Sequence, residues 1–149
     1  MSAPLSASIP TIVAAVMFIV LAGVHAYWAL GGMWPGTDAN SLHRTVVGGA
    51  PGRHSPGSTA TWMVAAILLA AALTVLGGAG LLPLPVPRRW LRPAALLGAA
   101  VLLLRGLQGF VDVRMRPETA GGPFARLNVW FYSPLCLALA VCTALAVRQ

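Results

Sequence analysis

Ile9–Leu30 reads IPTIVAAVMFIVLAGVHAYWAL, twenty-two residues with no acid, lysine or arginine among them. A helix rises about 1.5 Å per residue, so such a run crosses the roughly 30 Å hydrocarbon core of a bilayer and satisfies its own backbone hydrogen bonds there. Its end is unusual: His25 to Trp34 (HAYWALGGMW) sets a histidine, a tyrosine and two tryptophans around Gly31 and Gly32. No basic stretch precedes the apolar core, that core is too long for a secretion signal, and no small-x-small cleavage site follows. The run is therefore expected to persist as the first helix.

Three more runs follow, Thr59–Leu82, Trp90–Val113 and Leu127–Val147. The chain is 58% hydrophobic and 9% charged, with a mean hydropathy of +0.79. Soluble domains carry about 25% charged residues, so there is too little charge here to coat a globule. The expected fold is an all-α, integral membrane, up-down four-helix bundle, one transmembrane domain over residues 1–149. Small residues (Ala65, Ala66, Ala70, Ala71 and Ala72 in the second run; Gly98, Ala99, Ala100, Gly106 and Gly109 in the third) suit close helix contact in lipid.

The net charge of +7 comes from arginine alone, since no lysine occurs. These arginines stand singly or in short clusters beside apolar runs, which suits membrane topology and lipid head groups, and no nucleic-acid partner is expected. The shortest connection, LPLPVPRRWLRP, holds Arg88, Arg89 and Arg92; with both termini it is expected on the cytoplasmic side of a bacterial membrane. The longer connections, Gly31–Ser58 and Arg114–Arg126, then face outward. Arg44, Arg53, His43 and His54 read there as solvated loop residues.

In an up-down bundle the costly residues gather at the end of the longer loops. His25, Tyr27, Trp28 and Trp34 close the first run; Thr59, Thr61 and Trp62 open the second; Arg105, Gln108 and Asp112 lie late in the third; Asn128, Tyr132 and Ser133 open the fourth. The opposite halves read as almost purely apolar. Arg105, Gln108 and Asp112 are spaced i, i+3, i+7, so Gln108 is placed to bridge the other two. Asn128, Tyr132 and Cys136 form a second stripe, i, i+4, i+8. A mid-helix arginine costs about 2.5–3.5 kcal/mol on insertion scales and normally faces a partner inside the bundle.

Bland readings stand beside these. The aromatics can be an interfacial belt, His25 a packing residue, and the Arg105 group a structural network that sets helix register. Gly31 and Gly32 read as a helix end, and Pro134 as a first-turn proline. Cys136 and Cys142 read as small membrane-helix residues: they point apart, and no Cys/His ligand spacing occurs. No metal, haem or other cofactor is expected, because His25 has no second ligand at i+4.

His25–Trp34 resembles an HxYWAxGGxW signature, and Tyr132–Leu137 (YSPLCL) a second one. With Leu104–Arg105 they resemble a family of small bacterial four-helix membrane proteins catalogued as a domain of unknown function. The resemblance covers nearly the whole chain and implies the fold without a mechanism. The resemblance implies aspartates in many members where Gly109 and Asn128 stand; Asp112, one turn from Gly109, is placed to replace the first, and loss of both would leave this chain more cationic around Arg105.

Three functions are weighed. The first is a pocket near the non-cytoplasmic side that binds, or isomerises or cyclises by acid–base chemistry, a lipophilic small molecule. His25, Arg105, Asp112 and Tyr132 would be catalytic there, with Tyr27, Trp28, Trp34, Trp62, Gln108 and Asn128 around the ligand. The second is an accessory subunit of a larger membrane complex, and the third a small oligomeric transporter, which apolar inner halves disfavour. Membrane lipids are the expected partners in every case. No HExxH, GxSxG, P-loop or GxGxxG occurs, against zinc peptidase, serine hydrolase or nucleotide-driven chemistry.

Overall fold

The computed structural model describes residues 5–48, 57–115 and 122–148. Six α-helices occur in it: α1 (Leu5–Ala29), α2 (Ala39–Val46), α3 (Ser58–Ala79), α4 (Arg88–Met115), α5 (Pro123–Leu127) and α6 (Ser133–Val147). A π-helical turn, Asn128–Tyr132, joins the last two into one long segment. Strands are absent among the described residues. Ile9–Ala29, α3, α4 and Pro123–Val147 are each long and apolar enough to cross a membrane.

α1 packs most heavily on α3, and α4 on α6; α1–α6 and α3–α4 contacts close the ring, and α3–α6 contacts cross it. The core is lined with small side chains: Ala14, Ala72, Ala95 and Ala146 surround Phe18, Val75 and Leu139. Small residues let backbones approach where lipid removes the hydrophobic drive. Gly106 shows how close: a Cβ there would lie 2.7 Å from the Leu137 side chain and 3.1 Å from the Ser133 carbonyl of α6. Ile67, Leu97 and Leu104, by contrast, are each more than 60% exposed. A belt of exposed aliphatics around a buried, alanine-rich core is what a lipid solvent requires, and the chain is a multi-pass membrane protein.

α3 ends at Ala79, three residues earlier than its apolar run, because the next residue, Gly80, adopts φ +78° and its N–H and that of Leu81 turn back onto Gly77 and Leu76. The halves of the helices away from the longer loops are less uniformly apolar than expected: Thr11 and Thr143 are fully buried there.

The connection after α1, read as an open loop, contains α2. Its N-cap is Asp38, whose Oδ1 accepts the backbone N–H groups of Asn40 and Ser41 at 2.9 Å, while Ser41 Oγ accepts from the Asp38 N–H at 3.0 Å. This reciprocal capping box stabilises eight residues that have little intrinsic helical drive. Those same bonds, led by the Ser41 N–H, hold the Asp38 carboxyl below its ordinary range.

Candidate functional site

The HAYWALGGMW stretch folds into a clasp. Gly31, at φ +95°, stops α1, and the Gly32 N–H donates to the Tyr27 carbonyl at 2.9 Å. The Tyr27 ring lies directly over Gly32, where any Cβ would strike it. The Trp28 indole N–H donates to the Trp34 carbonyl at 2.7 Å, and Tyr27 Oη accepts the Trp34 N–H at 3.4 Å. Three of the signature aromatics are therefore committed to folding the chain back at the end of α1. Trp62 and Trp130 are exposed, as a belt at the membrane surface would be.

The returning chain lays α2 across the ends of α1 and α3, leaving a hollow of about 290 Å³. His25, Trp28, Leu42, His43, Val46 and Thr61 are among its walls. His25 Nδ1 lies 2.8 Å from the Leu21 carbonyl. A carbonyl only accepts, so Nδ1 carries the proton and Nε2 is the nitrogen free to accept in the neutral ring. Trp28 meets the imidazole edge-on at 5.1 Å. His43, expected as a solvated loop residue, is only 6% exposed: α2 turns it inward, and Arg44 outward. Its ring makes no hydrogen bond among the described residues. Arg53 and His54 lie outside the described residues. α2 is anchored at its far end where buried Gly48, at φ +74°, lies under the Phe124 ring, and the Ser58 hydroxyl ties α3 to the Ala29 carbonyl at 2.8 Å.

Arg105 belongs to a second cluster, between α4, the π-helical turn and α6. Its Nη2 donates to Asn128 Oδ1 at 3.1 Å, and Asn128 Nδ2 donates to the Gly109 carbonyl at 2.9 Å. Proline at 134 has no N–H, and its ring would crowd the Trp130 carbonyl in a regular helix. The segment widens there, and the Ser133 N–H bonds the Asn128 carbonyl, five residues back. Asn128 and Ser133 consequently stack on one face, both fully buried. Tyr132 does not share that face, so the expected Asn128–Tyr132–Cys136 stripe is broken by the turn. The Tyr132 hydroxyl instead reaches the Thr45 carbonyl of α2, at 3.5 Å.

Gly109 makes this packing possible. A Cβ there would run into Ser133 Oγ and lie 2.9 Å from Asn128 Oδ1 and 3.0 Å from Arg105 Nη1. Arg105 Nη1 and Ser133 Oγ are buried with no hydrogen-bond partner among the described residues. Asp112 is half-buried and Gln108 exposed. Neither forms a hydrogen bond or ion pair among the described residues, so Gln108 does not bridge Arg105 to Asp112. The buried edge of α4 runs through Gly106 and Gly109, and Gln108 falls to its side.

The sequence-derived residues thus divide. His25 and Trp28 border the hollow; Arg105 and Asn128 form the filled network; Tyr132 joins the network side to α2. His43, Gly109 and Ser133 matter more than their sequence context suggested. The Asp38–Ser41 capping box was the available signal for α2, and so for His43. Among the described residues, no group of three or more His, Cys, Asp or Glu side chains is placed to hold a metal.

No curated protein and no solved structure matches this chain. The profile of one family matches residues 18–143, which include both signatures, the Arg105 network and the hollow beneath α2. On that match, the chain belongs to the family described as "Protein of unknown function (DUF3995)".

Proposed function

We propose that the hollow beneath α2 binds a lipophilic small molecule drawn from the bilayer, with His25 Nε2 accepting a hydrogen bond, or a proton, from it. The observation that carries this reading is the Nδ1–Leu21 bond, which fixes the protonated nitrogen and leaves the other available. The walls support it. Leu42, Val46 and Val64 supply apolar surface, Trp28 an aromatic edge, and His43 a second imidazole. Sites of this kind hold their ligand by apolar contact and orient it with a few polar groups. Ala60 and Val64, on the exposed face of α3, border the hollow and supply a lateral approach from lipid. A proton moved by His25 would serve isomerisation or cyclisation of an unsaturated, lipid-like substrate. Arg105 and Asn128 then support the site from behind rather than touching the ligand. In this reading the arginine-rich hairpin faces the cytoplasm and the hollow lies toward the opposite surface of a bacterial membrane.

The test uses a lipophilic alcohol and its methyl ether, in which a methyl group replaces the donated hydroxyl hydrogen. Farnesol is expected to raise the melting temperature of the protein in mild detergent more than farnesyl methyl ether does. His25→Phe should abolish that difference while leaving the unliganded protein stable. Ala60→Phe, which narrows the approach, should weaken both ligands. Equal responses to alcohol and ether, unchanged by His25→Phe, would refute the role of His25. Absence of any response, together with a membrane protein that co-purifies stoichiometrically, would favour an accessory subunit instead.

A further inference from the structure

Both acidic side chains among the described residues, Asp38 and Asp112, belong to the end of the longer loops. The hairpin end has none, and it collects arginines from two separate parts of the chain. Arg88, Arg89 and Arg92 open α4. Arg148 follows Val147, whose side chain would lie 3.2 Å from a Cβ at Gly78, with the Arg92 backbone nitrogen 3.7 Å from the same point. The end of α6 is thereby brought beside the start of α4.

Two of these guanidinium groups are positioned by backbone. The Arg92 Nε–H donates to the Gly78 carbonyl at 3.4 Å. Arg88 folds over Gly80, where any Cβ would meet its guanidinium. Both therefore sit at the carboxyl end of α3, where the helix dipole favours a cation. Arg89 and Arg148 stay exposed, and Trp90 beside them is 64% exposed; tryptophans at the ends of spanning helices commonly anchor a protein in the head-group layer. A hollow of about 290 Å³ lies against Arg88, with Leu82, Leu84, Val86 and Leu91 as its apolar walls. Cationic above and aliphatic below, this surface has the polarity of a phospholipid turned inside out.

We infer that the hairpin end is a recognition surface for anionic phospholipid, with the phosphate of the head group at Arg88, Arg89 and Arg148 and the start of an acyl chain against Leu82, Leu84 and Val86. It is separate from the hollow beneath α2, and neither site depends on the other. Each arginine near an anionic surface strengthens association by about fivefold, so the cluster discriminates sharply between anionic and zwitterionic head groups.

The experiment measures lipid retention on the full chain by native mass spectrometry from mild detergent, adding dioleoylphosphatidylglycerol or dioleoylphosphatidylcholine. Phosphatidylglycerol should be retained at least about tenfold more strongly, and Arg88→Gln/Arg89→Gln/Arg148→Gln should remove that preference. Arg44→Gln/Arg114→Gln, at the opposite end, should leave it intact. If the triple variant does not fold, Arg89→Gln alone, at a fully accessible position, should weaken retention by about fivefold. Glycerol 3-phosphate in solution should not compete. Equal retention of the two lipids, a preference that survives loss of the three arginines, or competition by the soluble phosphate would each overturn the proposal.

Discussion

The two sides of the loop end start from comparable materials and finish differently. Each has a nitrogen-rich side chain in the later half of a spanning helix, His25 on α1 and Arg105 on α4, and each faces a shorter helical segment, α2 or the π-helical turn. On the Arg105 side the space is used up: Asn128, Ser133 and the bare Cα of Gly109 fit so closely that a methyl group has no room. On the His25 side the clasp holds α2 away from the helix ends and about 290 Å³ stays open. A filled polar cluster specifies how helices pack; an unfilled one, with a nitrogen free to accept, is where a ligand can go. On this contrast rests our proposal of a structural role for one side and ligand binding for the other, and both can be broken.

The largest effect is expected at Asn128→Ala, which removes both the acceptor of the Arg105 Nη2 bond and the second donor to the Gly109 carbonyl. Loss of two such bonds should cost about 3 kcal/mol, read as a fall in melting temperature in detergent. Gly109→Ala comes next at about 2 kcal/mol, from overpacking against Ser133 and Asn128. Gly98→Ala on the same helix is its control: a Cβ there meets nothing within 4 Å and should leave stability unchanged or slightly raised. If the two glycine variants behave alike, the Arg105 side is not packed as described. On the open side, His25→Phe should cost less than about 1 kcal/mol, since one local hydrogen bond is lost from a half-buried ring. A cost equal to that of Asn128→Ala would make His25 a packing residue and erase the distinction.

The smallest effect is a pH dependence confined to α2. The Asp38 carboxyl is held below its ordinary range by the cap. Its contribution is therefore complete above the unfolded carboxylate pKa, about 3.9, and is lost as pH falls through the lower folded value. Protection of α2 amides, corrected for the pH dependence of free amide exchange, should fall on acidification in that window, and Asp38→Asn should flatten the profile. An α2 that is equally protected in both proteins would show that contacts with Phe124 and Tyr132, rather than the cap, hold it over the hollow.

The spans were legible because a bilayer imposes a length and a polarity that any twenty-residue run either meets or fails. The gathering of polar residues at one end was legible from topology. What could not be read was depth of contact. Gln108 fits a helical spacing rule as well as any residue, yet which of two neighbouring faces is buried depends on how α6 approaches, and that follows from Gly106 and Gly109. α2 was hidden by its shortness and by the Gly, Pro, Ser and Thr around it; its capping box was the one local sign. His43 could be recognised as an interior residue only after α2 was placed. The π-helical turn was concealed in Pro134, which satisfies the rule for a first-turn proline even though helix continues on both sides of it.

That turn contains one residue more than regular helical winding would need. Each residue in an α-helix advances the chain by about 100°. Excision of Trp130 would leave Asn128 and Ser133 four residues apart, still on one face of a regular helix. It would also drive the Pro134 ring against the carbonyl four residues before it, a clash that the wide turn relieves. The extra residue is thus what lets a proline stand inside a continuous helical segment, and Pro134→Ala should restore the stability that the deletion costs.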